Sequence, residues 1–336
     1  METKPSLLHV ISHGPHCLDG VAAAVAVARY HVEVKTIPHF ATNIQINEVI
    51  RSISPDSLPP GAEVWITDIS WTEKETDAHL RQLAARGVKI YWFDHHRTAV
   101  ERYQSGEMDV PFTDLVVKEE YAASRLVYEY LQEKLEAEGH CNAAFTDLRR
   151  LVKMADDNDR WIHEVAGSHK LALTIRAMAT DQESLDAYYA LLHIDEQVTY
   201  TPKMREAYER ATKERQASLE LAEKSRVTLP IEGTDFTVVA ALCDGYPSDV
   251  ADLWGRNAKR TVFALYDAKS LAVSLRRSPD CTADLSRIAQ AFGGGGHPAA
   301  SGCHIAELHR KLAEELGRLM AQAVSSLYRL NTEKPE

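Results

Sequence analysis

Three apolar, β-rich segments of the chain are each followed by side chains that can bind a metal ion. In chain order these side chains are His13 with Asp19, then Asp68, then the triplet Asp94-His95-His96. The carboxyl ends of parallel strands share one edge of a sheet, so side chains that follow different strands converge there. Carboxylates gathered at one point repel one another unless cations hold them. The spacing therefore predicts a metal site at this edge of the sheet.

The donor types predict which ions such a site would take. Mixed oxygen and nitrogen ligation suits Mn²⁺, and less selectively Mg²⁺, Zn²⁺ or Fe²⁺. A cluster this rich favours two ions about 3.5–4 Å apart that share a carboxylate and activate a water. The plainer interpretation is that an aspartate after a strand caps a helix or a turn. Three such strand ends in succession, one of them bearing Asp-His-His, make that interpretation the weaker one.

The elements that must position these groups are strands alternating with helices, which predicts a parallel sheet covered by helices on both faces. A chain of 336 residues is long enough for two domains. The expected fold class is α/β, with an N-terminal parallel-sheet domain over residues 1–200 and a smaller α/β domain over 229–330. Thr201-Pro202 is typical of a helix start and predicts a helical linker over 201–228. The last residues, Glu333–Glu336, are expected to fray.

Composition and charge exclude several classes of protein. Apolar residues make up 45% of the chain and charged residues 26%, as in ordinary globular proteins. A formal net charge of −11 discourages binding to duplex nucleic acid, although a local basic pocket or metal ions could hold a small phosphorylated ligand. No apolar run approaches the ~18 residues of a membrane span, and no signal-peptide pattern is present. The five cysteines show no C-x-x-C spacing, so we expect a reduced, cytoplasmic protein.

Taken together, these motifs resemble the DHH phosphoesterase superfamily. Asp94-His95-His96 matches its signature triplet, and the single Asp68 after a strand matches its second motif. The segment from His13 to Asp19 is similar to its first motif, His-x-x-x-Asp-x-Asp, but Cys17 stands in the place of the first aspartate.

An acidic run further along the chain resembles the fourth motif of the superfamily, an aspartate four residues before an aromatic. Asp157 fits, because Trp161 follows it at that distance, and Asp156 and Asp159 are alternatives. Like charges so close need a cation or open solvent. For Asp156 and Asp159 the other interpretation is an acidic helix end that faces water.

The C-terminal part of the chain resembles the DHH-associated domain, through a glycine run that ends in His297 and the segment Ser274-Leu275-Arg276. Glycines let a backbone approach a ligand and present N–H groups to an anion, although most glycine runs are flexible loops. Arg276 and His297 can add charge-assisted bonds to phosphate. Between residues 235 and 305, seven Asp are balanced by seven Lys and Arg, so this part repels anions less than the whole chain does. The resemblance implies a substrate surface made of Arg276, Gly294, Gly295, Gly296 and His297.

The resemblance also implies how the metal ligands divide between two ions. One ion would be held by His13, Cys17 and Asp68, and the other by Asp19, Asp68, His95 and Asp157. His96 would orient the bound groups, and with Asp68 it is the expected catalytic residue. A thiolate at Cys17 is softer than a carboxylate and would favour Zn²⁺ or Fe²⁺ over Mg²⁺; alternatively, Cys17 is a small apolar filler.

The activity that the resemblance implies is metal-dependent hydrolysis of phosphodiester bonds in short oligonucleotides or small nucleotides, in a cleft between the two domains. An exopolyphosphatase that splits phosphoanhydrides is the close alternative. A non-catalytic nucleotide sensor with a degenerate metal site is an alternative of another class, because Cys17 departs from the motif. The expected partner is a short oligonucleotide or another small phosphorylated substrate, with neither duplex DNA nor a membrane, and with a homodimer left open.

Overall fold

The computed structural model of the protein describes residues 4–332, with side chains up to residue 325. The chain divides into two compact units between Glu214 and Arg215. The division falls inside the predicted linker, within one long helix, Pro202–Ser225.

The strands are numbered in chain order through both units. They are β1 (Leu8–His13), β2 (Thr36–Ala41), β3 (Glu63–Thr67), β4 (Lys89–Asp94), β5 (Asp114–Val117), β6 (Val227–Pro230), β7 (Thr237–Cys243), β8 (Thr261–Asp267), β9 (Ala272–Arg277), β10 (Gly295–His297) and β11 (Ala300–Cys303). The helices are α1 (Leu18–Tyr30), α2 (Ile46–Ser52), α3 (Lys74–Ala85), α4 (Arg97–Gln104), α5 (Ala123–Ala137), α6 (Ala143–Thr146), α7 (Arg149–Asp159), α8 (Ser168–Met178), α9 (Asp186–Leu192), α10 (Pro202–Ser225), α11 (Pro247–Gly255), α12 (Leu285–Gln290) and α13 (Ala306–Thr332), with a 3₁₀ turn at Pro55–Ser57.

The first unit is built on a parallel sheet whose strands lie in the order β2-β1-β3-β4-β5. β1, β3 and β4 are almost entirely buried, as expected of parallel strands covered by helices on both faces. The strand order reverses between β1 and β3, and ligands of open α/β sheets bind beyond the carboxyl ends of the strands at such a switch point. The predicted α/β class is confirmed.

Helix α1 carries the first candidate residues to this switch point. Its residues Leu18–Val27 are all buried, and they pack against α5, α7 and α9 as well as the sheet. Most of these side chains are alanine and valine, which let the helix lie close to its neighbours. Because only four residues separate β1 from α1, the first turn of α1 places Asp19 at the same edge as His13.

The second unit contains a mixed sheet in the order β10-β11-β9-β8-β7-β6. β7 and β8 run parallel, and the other neighbours are antiparallel. The glycine run is ordered, because β10 pairs with β11 in a hairpin. A Cβ at Gly294 would lie 2.1 Å from the Gly302 carbonyl oxygen, so the hairpin itself requires glycine at this position.

Within residues 4–332, none of the helices combines the length and the apolar character that crossing a membrane requires. The cytoplasmic location stays a prediction. The expected fraying of Glu333–Glu336 lies outside the described residues.

Candidate metal centre and substrate surface

Asp68 lies at the centre of the candidate site, directly after β3, and is 2% exposed. Its φ of +58° is in the left-handed region, which few non-glycine residues adopt and in which Asp and Asn are enriched. The Asp68 N–H donates to the Phe93 carbonyl of β4 at 2.9 Å, which fixes this turn against the neighbouring strand. Strain of this kind persists only where the surroundings hold it, and it concentrates at functional sites.

His13, Cys17 and Asp68 form a first group of metal-ligating side chains. His13 Nδ1 lies 3.5 Å from Asp68 Oδ2, and the Cys17 thiol donates to the same oxygen over 3.4 Å. One donor atom from each residue lies within 4.8 Å of the other two, so a single ion could contact all three.

Asp19, His95 and Asp159 form a second group. His95 Nε2 lies 3.3 Å from Asp159 Oδ2, 3.3 Å from Asp68 Oδ1 and 4.0 Å from Asp19 Oδ2. Asp68 therefore faces both groups, with Oδ2 toward His13 and Oδ1 toward His95. A carboxylate in this arrangement can bridge two cations.

Asp19 is held by the start of α5. Its carboxylate accepts bonds from the backbone N–H groups of Ala123 (2.8 Å) and Ser124 (3.0 Å) and from the Ser124 hydroxyl. The first N–H groups of a helix have no partner within the helix and carry partial positive charge, so they stabilise a carboxylate placed there. One side chain thus caps α5 and faces His95.

The structure places Asp159, and not Asp157, beside His95. The Asp157 carboxylate accepts bonds from the backbone N–H groups of Glu164 (2.7 Å) and Val165 (3.0 Å) and from the Ser168 hydroxyl. Residues two apart on an α-helix point to nearly opposite sides, because each residue turns the helix by about 100°. The assignment of Asp157 as a ligand is therefore corrected, and Asp159, one of the two alternatives, takes its place.

Asp156, the other alternative, has its charge compensated elsewhere. Its carboxylate pairs with Arg125 at 3.1 Å and Arg160 at 3.4 Å, and it accepts the Ala122 N–H at 2.8 Å. It joins α7 to the start of α5 and needs no metal ion for its neutralisation.

Asp94 orients the two histidines that follow it. Its Oδ1 accepts bonds from the backbone N–H groups of His95 (2.7 Å) and His96 (3.0 Å), and it lies 2.8 Å from His96 Nδ1. Burial opposes the charged form of His96, but Asp94 overcomes it and raises the pKa of His96 to about 9. His96 Nδ1 is 4.0 Å from Asp68 Oδ1, which fits a residue that orients groups at the site from its margin.

Burial and the charges of neighbouring carboxylates together set the electrostatics of the site. Burial, and then the charges of Asp68 and Asp159, raise the pKa of Asp19 well above its usual value. Burial lowers the pKa of His95, but its bond to Asp68 and the charges of the nearby aspartates reverse this and raise the pKa to about 10. The clustered carboxylates contribute to both shifts, since each shift favours positive charge between them.

This donor set fits a divalent cation. Carboxylate oxygens and imidazole nitrogens are ligands of Mn²⁺, Mg²⁺, Zn²⁺ and Fe²⁺, and Cys17 adds a sulfur to the first group. The structure brings together the predicted metal residues His13, Cys17, Asp19, Asp68 and His95, with Asp159 in the place of Asp157.

In the second unit, two of the predicted substrate residues, Arg276 and His297, lie in one row across three strands. Arg276 of β9 pairs with Ala300 of β11, which in turn pairs with His297 of β10. Directly paired residues point to the same face of a sheet. Adjacent strands are about 4.8 Å apart, so Arg276 and His297 share a face at a separation of roughly 10 Å.

Arg276 is held in a fixed position within this row. Its guanidinium donates to the Ser248 hydroxyl at 2.7 Å and to the carbonyls of Leu275 (2.8 Å) and Ser301 (3.4 Å). Burial lowers the pKa of Arg276 to about 10, which leaves the side chain charged at neutral pH. Gly296, with φ +135°, has a backbone that L side chains rarely adopt, so the row also depends on glycine there.

Two residues that position the site escape the sequence analysis. Ser124 holds Asp19, and Ser168 holds Asp157. The available signal is that each serine lies near the start of a helix, a region where serine is common. The partner of Ser124 lies 105 positions away along the chain, however, and no local spacing connects the two.

No protein-family model matches the chain. Among curated proteins, the oligoribonuclease NrnB of Bacillus subtilis (strain 168) is 26% identical over 322 residues, which cover 90% of this chain and 73% of that protein. Among solved structures, the DHH domain of a protein described as a member of a family of ribosomal proteins matches with a TM-score of 0.63 at 16% identity, covering 95% of this chain and 86% of that one. The pGpG-specific phosphodiesterase PggH from Vibrio cholerae matches with a TM-score of 0.52 at 14% identity, covering 94% of this chain and 99% of that one. The resemblance to the DHH phosphoesterases, which are hydrolases of ester bonds, is confirmed.

Asp159→Ala is expected to weaken the binding of divalent cations, because it removes a carboxylate that faces His95, with little effect on the stability of the metal-free protein. Asp157→Ala is the matched control: it should leave metal affinity unchanged and lower stability by about 1–3 kcal/mol, because it strands buried donors. Titration calorimetry with Mn²⁺ and thermal unfolding in EDTA measure the two effects. The opposite pattern, with metal lost only in Asp157→Ala, would overturn the placement of Asp159.

Gly20→Ala is expected to abolish measurable metal binding. A Cβ at Gly20 would lie 2.0 Å from the His13 carbonyl oxygen and 3.0 Å from Asp68 Oδ2, and the nearer obstacle is backbone that cannot rotate aside. Gly317→Ala in α13 is the control, because a Cβ there meets nothing within 4 Å. The same Mn²⁺ titration decides, and wild-type affinity in Gly20→Ala would show that α1 can shift without cost to the site.

Proposed function

We propose that this chain, a DHH-superfamily phosphoesterase, hydrolyses phosphodiester bonds in short oligonucleotides with the aid of divalent cations. The observation that carries the proposal is Asp68, whose two carboxylate oxygens face two separate groups of metal-ligating side chains. An oligonucleotide substrate is supported by the printed names of the oligoribonuclease and of the pGpG-specific phosphodiesterase. A phosphodiester with its neighbouring nucleosides is also small enough to need no extended basic surface, which fits a chain of net charge −11.

The proposed ligands divide between two cations. They are His13, Cys17 and Asp68 for one cation and Asp19, Asp68, His95 and Asp159 for the other. Mn²⁺ is the ion proposed for the oxygen and nitrogen donors of the second cation, whereas a thiolate at Cys17 would shift the first toward Zn²⁺ or Fe²⁺. Divalent cations bound there would offset charge on the phosphoryl group and lower the pKa of a water.

Neighbouring residues of the chain then contribute by holding the proposed ligands in fixed orientations. Asp94 fixes the backbone of His95 and His96 and also holds the His96 imidazole through its Nδ1. The α5 amides keep Asp19 oriented, and the thiol of Cys17 lies against Asp68 at the half-buried side of the first group. A carboxylate set held in this way needs little rearrangement when charge develops on the substrate.

The second unit is proposed to hold the rest of the substrate. Arg276 and His297 share one face of the sheet at a separation that suits a ligand longer than a single phosphate. Gly294, Gly295 and Gly296 would let a ligand approach the backbone of β10. The location of the active site in a cleft between the two domains stays a prediction, as does a homodimer.

Asp68→Asn is expected to lower hydrolysis by more than about a hundredfold, since loss of an outer partner of a metal ligand already costs ten- to a hundredfold. Asparagine tolerates the left-handed backbone at this position, so the fold should be kept. Asp109→Asn is the control, because the Asp109 side chain is 90% exposed. The assay is a Mn²⁺ hydrolysis panel of diribonucleotides, linear and cyclic diguanylate, polyphosphate, pyrophosphate and a 3′-phosphoadenosine compound.

The same panel separates the proposal from its alternatives. Cleavage of polyphosphate with inert dinucleotides would replace it with an exopolyphosphatase. Binding of nucleotides without turnover under any of Mn²⁺, Mg²⁺, Zn²⁺ and Fe²⁺ would replace it with a sensor. Full turnover by Asp68→Asn would remove Asp68 from the centre of the mechanism.

Arg276→Ala is expected to raise KM by roughly ten- to a hundredfold and leave kcat near its wild-type value, because a charged hydrogen bond is worth about 1.5–3 kcal/mol. Arg277→Ala is the matched control: Arg277 is the next residue of β9, and its guanidinium donates to the Ala283 carbonyl instead. Steady-state kinetics with metal content checked distinguishes the two. Loss of metal in Arg276→Ala, or equal kinetics in both variants, would show that this row is not the substrate surface.

A further inference from the structure

The chain directly after Asp159 has an unusual backbone. At the end of α7 the Trp161 N–H donates to the Asn158 carbonyl at 3.1 Å, and the Ile162 N–H donates to the Asp157 carbonyl at 2.9 Å. This pair of bonds is the Schellman motif, in which the position of Trp161 adopts the left-handed conformation and is usually glycine. Trp161 has φ +56°. A bulky residue in this conformation is a genuine outlier.

The strained backbone continues along the loop, and the Asp157 carboxylate anchors the far end of the loop. His163, two residues further on, also has a positive φ, of 63°. The Asp157 carboxylate binds the N–H groups of Glu164 and Val165 and thereby ties the far end of this loop to α7. The residue predicted to ligate metal therefore holds the loop that follows Asp159.

The Trp161 indole combines a strained backbone with incomplete burial. The Trp161 ring meets the rings of His163 and His169 edge-on, with centroids 4.7 Å and 5.7 Å apart. It remains partly exposed, however, and His163 and Ile162 beside it are exposed. A tryptophan placed at a strained position without full burial loses part of the hydrophobic gain that would offset the strain.

The position of Trp161 along the chain suggests which part of a ligand its ring would contact. Two residues span at most about 7 Å of chain, so the backbone of Trp161 lies within that reach of the backbone of Asp159, whose carboxylate belongs to the second metal-ligating group. The proposed substrate carries planar bases on both sides of its phosphodiester. Bases stack on exposed aromatic side chains with little dependence on sequence, because every base has a π-face.

We propose that Trp161 forms a base-stacking subsite, on which one nucleobase next to the scissile phosphate of a short oligonucleotide packs. The inference rests on the proposed function. His163 borders the ring and limits where the base can lie, and Asp157 acts as the positioning residue that keeps the loop in place.

The test compares a 5′-phosphorylated diribonucleotide with two analogues that each lack one base. Trp161→Gly removes the ring but suits the left-handed backbone, so Asp159 should stay in position; Trp161→Phe keeps a ring. Wild type is expected to favour the intact dinucleotide over one of the abasic analogues by roughly 5- to 150-fold in kcat/KM. Trp161→Gly should lose this preference and match wild type on that analogue, while Trp161→Phe should retain most of it. An unchanged preference in Trp161→Gly, with metal affinity confirmed by calorimetry, would overturn the subsite.

A binding measurement separates failure of the subsite from failure of the proposed function. With Mg²⁺ present, a dinucleotide whose bridging oxygen is replaced by methylene should quench part of the tryptophan emission in wild type, and the quenching should vanish in Trp161→Phe. Quenching by this compound in a protein that hydrolyses no dinucleotide would support the subsite and overturn the function. Hydrolysis with identical quenching in wild type and Trp161→Phe would support the function and overturn the subsite.

Discussion

Repulsion between three carboxylates is the main constraint on the site of the first unit. The carboxylates of Asp19, Asp68 and Asp159 are buried or half-buried and converge on His95. Burial and mutual charge each disfavour the ionised forms, as the raised pKa values of Asp19 and Asp159 reflect. The surrounding structure offsets part of this cost by aiming the start of α5 at Asp19 and the imidazoles of His13 and His95 at Asp68. Asp156 and Asp157, which are adjacent in sequence, have partners of their own, so the remaining negative charge is concentrated where cations are proposed to bind.

Topology explains why most of this site was predictable from the sequence. The rule that parallel strands end at one edge depends only on strand order and direction, and it brought together His13, Asp68 and the triplet that ends in His96. The choice between Asp157 and Asp159 depends on something finer, the rotation of α7 about its axis. The Asp157 carboxylate is held by donors at Glu164, Val165 and Ser168, which follow the motif and share no periodicity with it.

The fold shows the same difference: the hydrophobic pattern of the sequence predicts some features, and contacts between distant residues determine others. Central strands such as β3 and β4 are continuous apolar runs because both faces are covered, whereas the edge strands β2 and β5 are only partly buried and lack that signal. The glycine run was interpreted through its freedom to wrap an anion, and the structure adds a second reason for it. Gly294 is required by the close approach of β11, and Gly296 by its backbone conformation. Glycines that a hairpin needs can still border a ligand, but their number alone does not argue for one.

Two features far apart in sequence bear jointly on the class of substrate. The row that contains Arg276 and His297 offers cationic and imidazole groups on one face, and a polyphosphate chain could use it as well as an oligonucleotide could. The stacking role proposed for Trp161 would discriminate between these ligands, because an aromatic face held at a strained backbone position gains nothing from an anion that carries no ring. Phosphate repels the electron-rich face of an indole, so a polyphosphate chain would not use the Trp161 ring. The proposed substrate, a short oligonucleotide, carries both phosphate charge and planar bases, so each feature taken by itself suits that class of ligand.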